Sequence, residues 1–229
     1  MGFIFPFKAK VISLDTINEH VVLLKTEKPW RFTFNRGQVV DMSIDQPGLE
    51  LSVASFTIAN SPEDEYLEFI IKVYQHKDGI TQAVSQLETN DYVQISYAWD
   101  SYSYMGGGTF IAAGAGITAF WPIFKSMDLS GVDVTQEHRL IYADKTKKDV
   151  LYHKQLKQIF RDKLSVILSR SHTKTLRYGR IDKNYLMDII KNTEQYFYIC
   201  GPKNFEVEVR THLLTIGVPQ HNIQTGYKL

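Results

Sequence analysis

Two short stretches place glycine where a chain must come close to something. In "FIAAGAGITAF", Gly114 and Gly116 follow an apolar run, and Ile117 leads into a helical pattern that opens near Thr118. Glycines at such a turn admit close backbone approach, and free N–H groups with the positive end of a helix dipole favour an anion, a pyrophosphate being the natural guest. In "YFYICGPKNF", Cys200, Gly201 and Pro202 end a second apolar run at another helix start. Ligands of open α/β sheets bind outside the carboxyl ends of the strands, where both turns fall. The first turn lacks the third glycine of the full dinucleotide fingerprint, and Asp144, which closes the next strand, lies farther along than the usual ribose-binding acid. By itself the turn fits a structural tight turn as well as a nucleotide site, and Cys200 by itself reads as a small buried hydrophobe.

Other chemistries find less support. A single cysteine excludes an intrachain disulfide and cannot hold an iron–sulfur cluster, so any redox chemistry must come from an organic cofactor. The seven histidines are scattered without metal spacing, and no serine nucleophile elbow is present. Charge is nearly balanced at +1, yet residues 139–183 hold 13 Lys and Arg against four acids, a basic segment on an acidic background. Such a run fits a solvated face or a polyanion site; no nucleic-acid motif accompanies it, so nucleic acid is not expected. No apolar run suggests a membrane span, and the start "MGFIFPFKAK" has no signal-peptide pattern, so the expected location is cytoplasmic.

The elements that must position these residues follow two regimes. Up to about Ala98, short runs such as "HVVLLKTE", "QVVDMSI", "SFTIAN" and "YLEFIIKVY" are rich in β-branched and aromatic residues and separated by polar turns, which predicts a small antiparallel barrel. One helix, "DGITQAVSQL", interrupts them. From Thr109 onward strand, turn and helix alternate, which predicts a parallel sheet covered by helices. The glycines of "SYSYMGGG" break both patterns, so the expected domains are 1–104 and 105–229, and 229 residues suffice for both.

A barrel half with "GQVV", "SFTIANSP" and "DGIT", followed by a nucleotide half with "GTFIAAGAGITAF" and "YICGP", resembles the ferredoxin/flavodoxin-NADP reductase family over nearly the whole chain. The resemblance implies a Greek-key barrel that binds FAD, an α/β domain that binds NADPH or NADH, and a nicotinamide that meets the flavin at the domain interface. On that basis Ser55, Phe56, Thr57 and Ile58 form the flavin strand, with Phe56 against the isoalloxazine and Thr57 within reach of its N5 edge. Gly79, Ile80 and Thr81 receive the FAD pyrophosphate, and Gly114, Gly116, Ile117 and Thr118 that of the nicotinamide nucleotide. Cys200, Gly201 and Pro202 stand beside the nicotinamide. Ser169 and Arg170, with Lys174 and Arg177 as further candidates, meet the adenosine 2′-phosphate, so NADPH is expected over NADH. Tyr227 is a candidate cover for the flavin. The implied reaction is hydride transfer from NADPH to FAD, with Thr57 and Cys200 closest to the chemistry, and electron delivery to a flavodoxin, a ferredoxin or a small acceptor.

The departures cluster at the cofactor sites. The arginine that usually opens the flavin strand is Ala54, which removes a charge-assisted contact worth about 1.5–3 kcal/mol. Arg36, in "FNRGQ", is the nearby spare cation in sequence. Ala119 stands where proline is expected, and Asp100 where glycine is common. The alternative these changes support is a nucleotide-binding regulatory or interaction protein that has lost its flavin on the same fold.

Overall fold

A computed structural model of the chain describes residues 5–44, 49, 52–74, 79–102, 104–131 and 133–226. It divides into two compact units, Met1–Ser101 and Tyr102–Leu229.

The first unit is a nearly closed antiparallel barrel. Its strands are β1 (Phe7–Asn18), β2 (Val21–Glu27), β3 (Val39–Ile44), β4 (Ala54–Thr57), β5 (Tyr66–Lys72) and β6 (Tyr92–Ile95), with helix α1 (Ile80–Val84) between the last two. They hydrogen-bond in the order β4-β3-β6-β1-β2-β5. The two ends of that order meet where Ile58 bridges Phe69 and the Ala59 N–H donates to the Glu68 carbonyl at 2.7 Å. Asn60 secures the join. Its amide donates to the Tyr66 carbonyl at 2.7 Å, and its Oδ1 accepts from the Glu68 N–H at 2.8 Å. Strand periodicity points one side chain in two inward, and Leu24, Val40, Met42, Ile58, Phe69 and Ile95 accordingly fill a core from which water is excluded.

The second unit is a parallel sheet between helices. In chain order it runs β7 (Gly108–Ala113), α2 (Ile117–Leu129), β8 (His138–Asp144), α3 (His153–Phe160), β9 (Leu164–Leu168), β10 (Arg177–Tyr178), α4 (Lys183–Ile189), β11 (Tyr196–Cys200), α5 (Lys203–Thr215) and β12 (Ile223–Thr225). Both faces of the sheet are covered, which is why β7, "GTFIAA", reads as a continuous small and apolar run rather than an alternating one. Phe110, Phe120, Phe124 and Phe160 interlock edge to face on one side. Ile111, Ile141 and Ile199 pack with Leu186, Val209 and Leu213 on the other. The strand order is β10-β9-β8-β7-β11-β12, so successive strands build outward on one side of β7 and then on the other. The point of reversal lies between β7 and β11, where such sheets open a crevice at their carboxyl ends.

Candidate functional site

The two glycine turns sit on either side of that reversal, and backbone sterics bring them together. A Cβ on Gly116 would lie 2.2 Å from the Cys200 carbonyl oxygen and 2.8 Å from the Gly201 nitrogen. Gly116 thus permits a close approach of the chain to itself, a contact that the sequence does not reveal. Gly114 serves another purpose: its φ of 54° is left-handed, a region costly to residues with a Cβ. Ile117 is buried and anchors the start of α2, and the Thr118 hydroxyl donates back to the Ala115 carbonyl at 2.8 Å. No acidic residue occupies the first turn of α2.

The β11 turn has the opposite character. Glu206, buried in the first turn of α5, accepts a hydrogen bond from the Gly201 N–H at 2.9 Å. The positive end of α5 is thus already met by a carboxylate, whereas the first turn of α2 carries none. Pro202 is exposed at the N-cap of α5, and Cys200 is half-buried. The Tyr102 hydroxyl donates to the Ile199 carbonyl, and burial, followed by the neighbouring Cys200 and Glu206, pushes its phenol far above the ordinary range. Sequence reasoning passed over Glu206 and Tyr102; an acid in a helix's first turn was the available signal.

At the carboxyl end of β9 the Ser169 N–H donates to the Asp144 carbonyl at 2.9 Å, and the Arg170 N–H to the Lys145 carbonyl at the same distance. These bonds tie the β8 and β9 ends together and leave the Arg170 and Lys174 side chains exposed. Arg177 lies over the Tyr185 ring, 4.3 Å from its centroid. His172 and Tyr178, not singled out by sequence, stack at 3.6 Å and stiffen this basic segment. A polar cleft of about 480 Å³ lined by Gly107, Glu137 and Gln195, among others, opens instead at the amino-terminal ends of the strands and contains none of the expected site residues.

In the barrel, β4 pairs with β3 through Val39–Thr57 and Val40–Phe56. Ala54 and Phe56 are half-buried against the core, whereas Ser55 is exposed and donates to Asp41 Oδ1 at 2.6 Å. Ile58 is fully buried and belongs to the barrel's closure. Two donors remain unspent at this end of the sheet. The Thr57 hydroxyl has no hydrogen-bond partner among the described residues, and Trp99 Nε1, two strands across through Val39, is buried without one. Gly79 caps α1 with no side-chain hydrogen bond, and no acid stands in that helix's first turn. Ile80 is buried and Thr81 half-buried. Unspent donors and an uncapped, acid-free helix start fit a flavin with its diphosphate. Arg36 offers no spare charge to replace the arginine missing at Ala54, because it donates to Ser61 at 2.9 Å and pairs with Glu63 at 3.1 Å. The Ser61 hydroxyl, then the Glu63 backbone and Arg36, hold the Glu63 carboxyl down to about 2. Asp100 is occupied by the Gln38 amide at 3.0 Å. Tyr227 lies outside the described residues.

Comparison with known proteins agrees with this division. Residues 6–105 match the FAD-binding domain model and residues 110–211 the oxidoreductase NAD-binding domain model. The NADH-cytochrome b5 reductase 2-B of the yeast Vanderwaltozyma polyspora is 28% identical over 171 residues, which cover 67% of this chain and 55% of that protein. The chain spans about half the length of such curated relatives. Among solved structures, the CS-b5R domains of human Ncb5or in the NAD+ form superpose with a TM-score of 0.82 at 20% identity, covering 96% of this chain and 69% of that one. The FAD/NAD-binding domain of nitric oxide dioxygenase from Vibrio cholerae O1 biovar El Tor gives 0.80 at 16% identity, covering 95% and 96%. Identities this low establish the shared fold. No helix among the described residues is long and apolar enough to cross a membrane.

Proposed function

Because the chain belongs to the ferredoxin–NADP reductase-like family of FAD- and nicotinamide-nucleotide-binding flavoproteins, we propose that it oxidises NADPH or NADH through FAD and passes the electrons singly to a small haem protein of the cytochrome b5 type. The observation that carries this reading is the backbone contact of Gly116 with Cys200, which sets the glycine turn before α2 beside the Cys-Gly-Pro turn at the sheet's point of reversal. A dinucleotide whose pyrophosphate lies at the start of α2 would have its nicotinamide near Cys200. The bound flavin would supply the conversion of a two-electron donor into one-electron steps. Phe56 would bound its ring, Thr57 would offer a hydrogen bond at the ring's edge, and Gly79 to Thr81 would face its diphosphate. The acceptor differs from the flavodoxin or ferredoxin expected from sequence, and similarity to a cytochrome b5 reductase supports the change.

For the nucleotide, Arg170 is the group that would favour NADPH, since an exposed guanidinium beside Ser169 suits a phosphate dianion. Relatives named for NADH support the competing choice. Steady-state reduction of cytochrome b5 by the FAD-loaded chain separates the two. Arg170→Ala should raise KM for NADPH about tenfold and leave NADH unaffected; equal effects on both, or on neither, would show that Arg170 does not read the 2′-phosphate, and a wild-type kcat/KM higher for NADH than for NADPH would assign the protein to NADH. A second reading, nucleotide binding without flavin, is favoured by Ala54 together with the engagement of Arg36 by Glu63. An absorption spectrum after incubation with FAD decides it. Flavin bands that bleach anaerobically on NADPH or NADH support the reductase, and a chain that takes up no flavin at micromolar concentration rejects it.

A further inference from the structure

Tyr142 lies at the centre of the second unit's sheet, fully buried, and its hydroxyl holds three groups at once. It lies 3.1 Å from the Gly114 carbonyl and 3.3 Å from Asp144 Oδ2, and it accepts from the Leu151 N–H at 3.3 Å. One hydroxyl hydrogen thus serves two acceptors. A buried phenol needs one good partner to avoid a desolvation penalty, so three converging partners from the β7 turn, the end of β8 and the segment before α3 call for another explanation.

Peptide geometry supplies it. The Gly114 carbonyl and the Ala115 N–H belong to one planar trans peptide and point in opposite directions. With the carbonyl held down onto Tyr142, the Ala115 N–H is aimed away from the sheet's interior, toward the side where a ligand at the start of α2 must lie. Gly114 takes a φ of 54°, which a glycine adopts without strain, and the Ile117 N–H also donates to its carbonyl, so Tyr142 adds a second hold, from across the sheet, to a plane that the turn before α2 outlines. The geometry points to Tyr142 as a positioning residue for nucleotide binding: it fixes the 114–115 peptide so that its N–H meets the pyrophosphate. Asp144 tunes this by drawing part of the same hydroxyl hydrogen to its carboxylate, and its own carbonyl continues the tie to Ser169. Burial, reinforced by the Asp144 charge, keeps the Tyr142 phenol protonated well above its ordinary range, so the donor is present at every working pH.

This inference rests on the nicotinamide-nucleotide reading above, and its test separates the two. NAD+, NADP+ and ADP-ribose are titrated calorimetrically onto the FAD-loaded full chain, with the flavin content and melting temperature of each variant measured alongside. Tyr142→Phe, which keeps the ring and removes the hydroxyl, should weaken all three by the same factor of about five to ten, since the pyrophosphate is common to them. Flavin content should hold, and in turnover KM should rise with kcat unchanged at saturation. In Asp144→Asn the amide donates to the hydroxyl, whose hydrogen then goes wholly to Gly114, so binding should be retained or tightened. Unchanged affinities in Tyr142→Phe overturn the inference alone. Equal losses in Tyr142→Phe and Asp144→Asn also overturn it, since they would mark general damage to the sheet. A wild-type chain that binds none of the three overturns the nucleotide reading along with it.

Discussion

The paired turns of the α/β unit and β4 of the barrel, the two proposed cofactor sites, are built by different means. The turns are backbone constructions: Gly116 is required because another peptide passes 2.2 Å from where its Cβ would be, and Gly114 because its φ is left-handed. β4, the proposed flavin strand, is an ordinary antiparallel segment whose function would depend on which side chains it carries, and at position 54 it carries alanine. A backbone site fails as a whole when one atom is added, whereas a side-chain site can lose or regain a contact with the strand unaltered. The α/β site is accordingly the more fragile of the two and the barrel site the more adjustable.

The strongest challenge to this contrast is Gly116→Ala. Its φ and ψ are ordinary helical values, so the cost is purely steric, and because the obstacle is backbone we expect about 3 kcal/mol of destabilisation confined to the α/β unit. Chemical denaturation followed by Trp fluorescence and by flavin release would measure it; a variant as stable as wild type would mean that the two turns do not pack as described. Ala54→Arg probes the other side. Restoring a charge-assisted contact to the diphosphate should tighten FAD about tenfold while leaving stability nearly unchanged, read by flavin fluorescence. No gain would remove the flavin from β4. The smallest effect is the order in which acid weakens the units. His138 is buried in the α/β unit, and burial, only partly offset by the Val134 carbonyl and Glu137, lowers its pKa. The folded value lies below the unfolded one, so below about pH 6.5 the unfolded chain takes a proton that the folded unit refuses. Stability is therefore full above that pH and falls as the pH drops toward the folded value. In the barrel, Glu63 loses its pairing only between its ordinary 4.5 and about 2, and it is an exposed group of slight energetic weight. Melting curves near pH 5.5 should show the α/β unit weakened first, with the sensitivity reduced in His138→Gln.

Much of the fold was legible because its signals are local. Runs of β-branched and aromatic residues with polar turns announced the barrel, and the change to strand, turn and helix at Thr109 announced the parallel sheet. The short β10 and the five-residue length of α1 were not legible, since pairing with β9 and packing of Ile80 and Val84 determine them. Within the sites, glycine positions and the Cys-Gly-Pro turn could be read directly. The partners of Arg36, the carboxylate of Glu206 on Gly201 and the three contacts of Tyr142 could not, because each depends on which chemically ordinary side chain meets which backbone group after folding.

The sequence by itself determined the two-unit plan, the order of elements and the family of cofactors, because periodicity, turn chemistry and motif order are properties of neighbouring residues. Only the tertiary structure decided that Gly116 serves a chain-to-chain approach, that α5 is already met by its own acid, and that Tyr142 reaches across 28 residues to hold Gly114. Those are contacts between segments distant along the chain, and they exist only once the sheet has brought the carboxyl ends of its strands together.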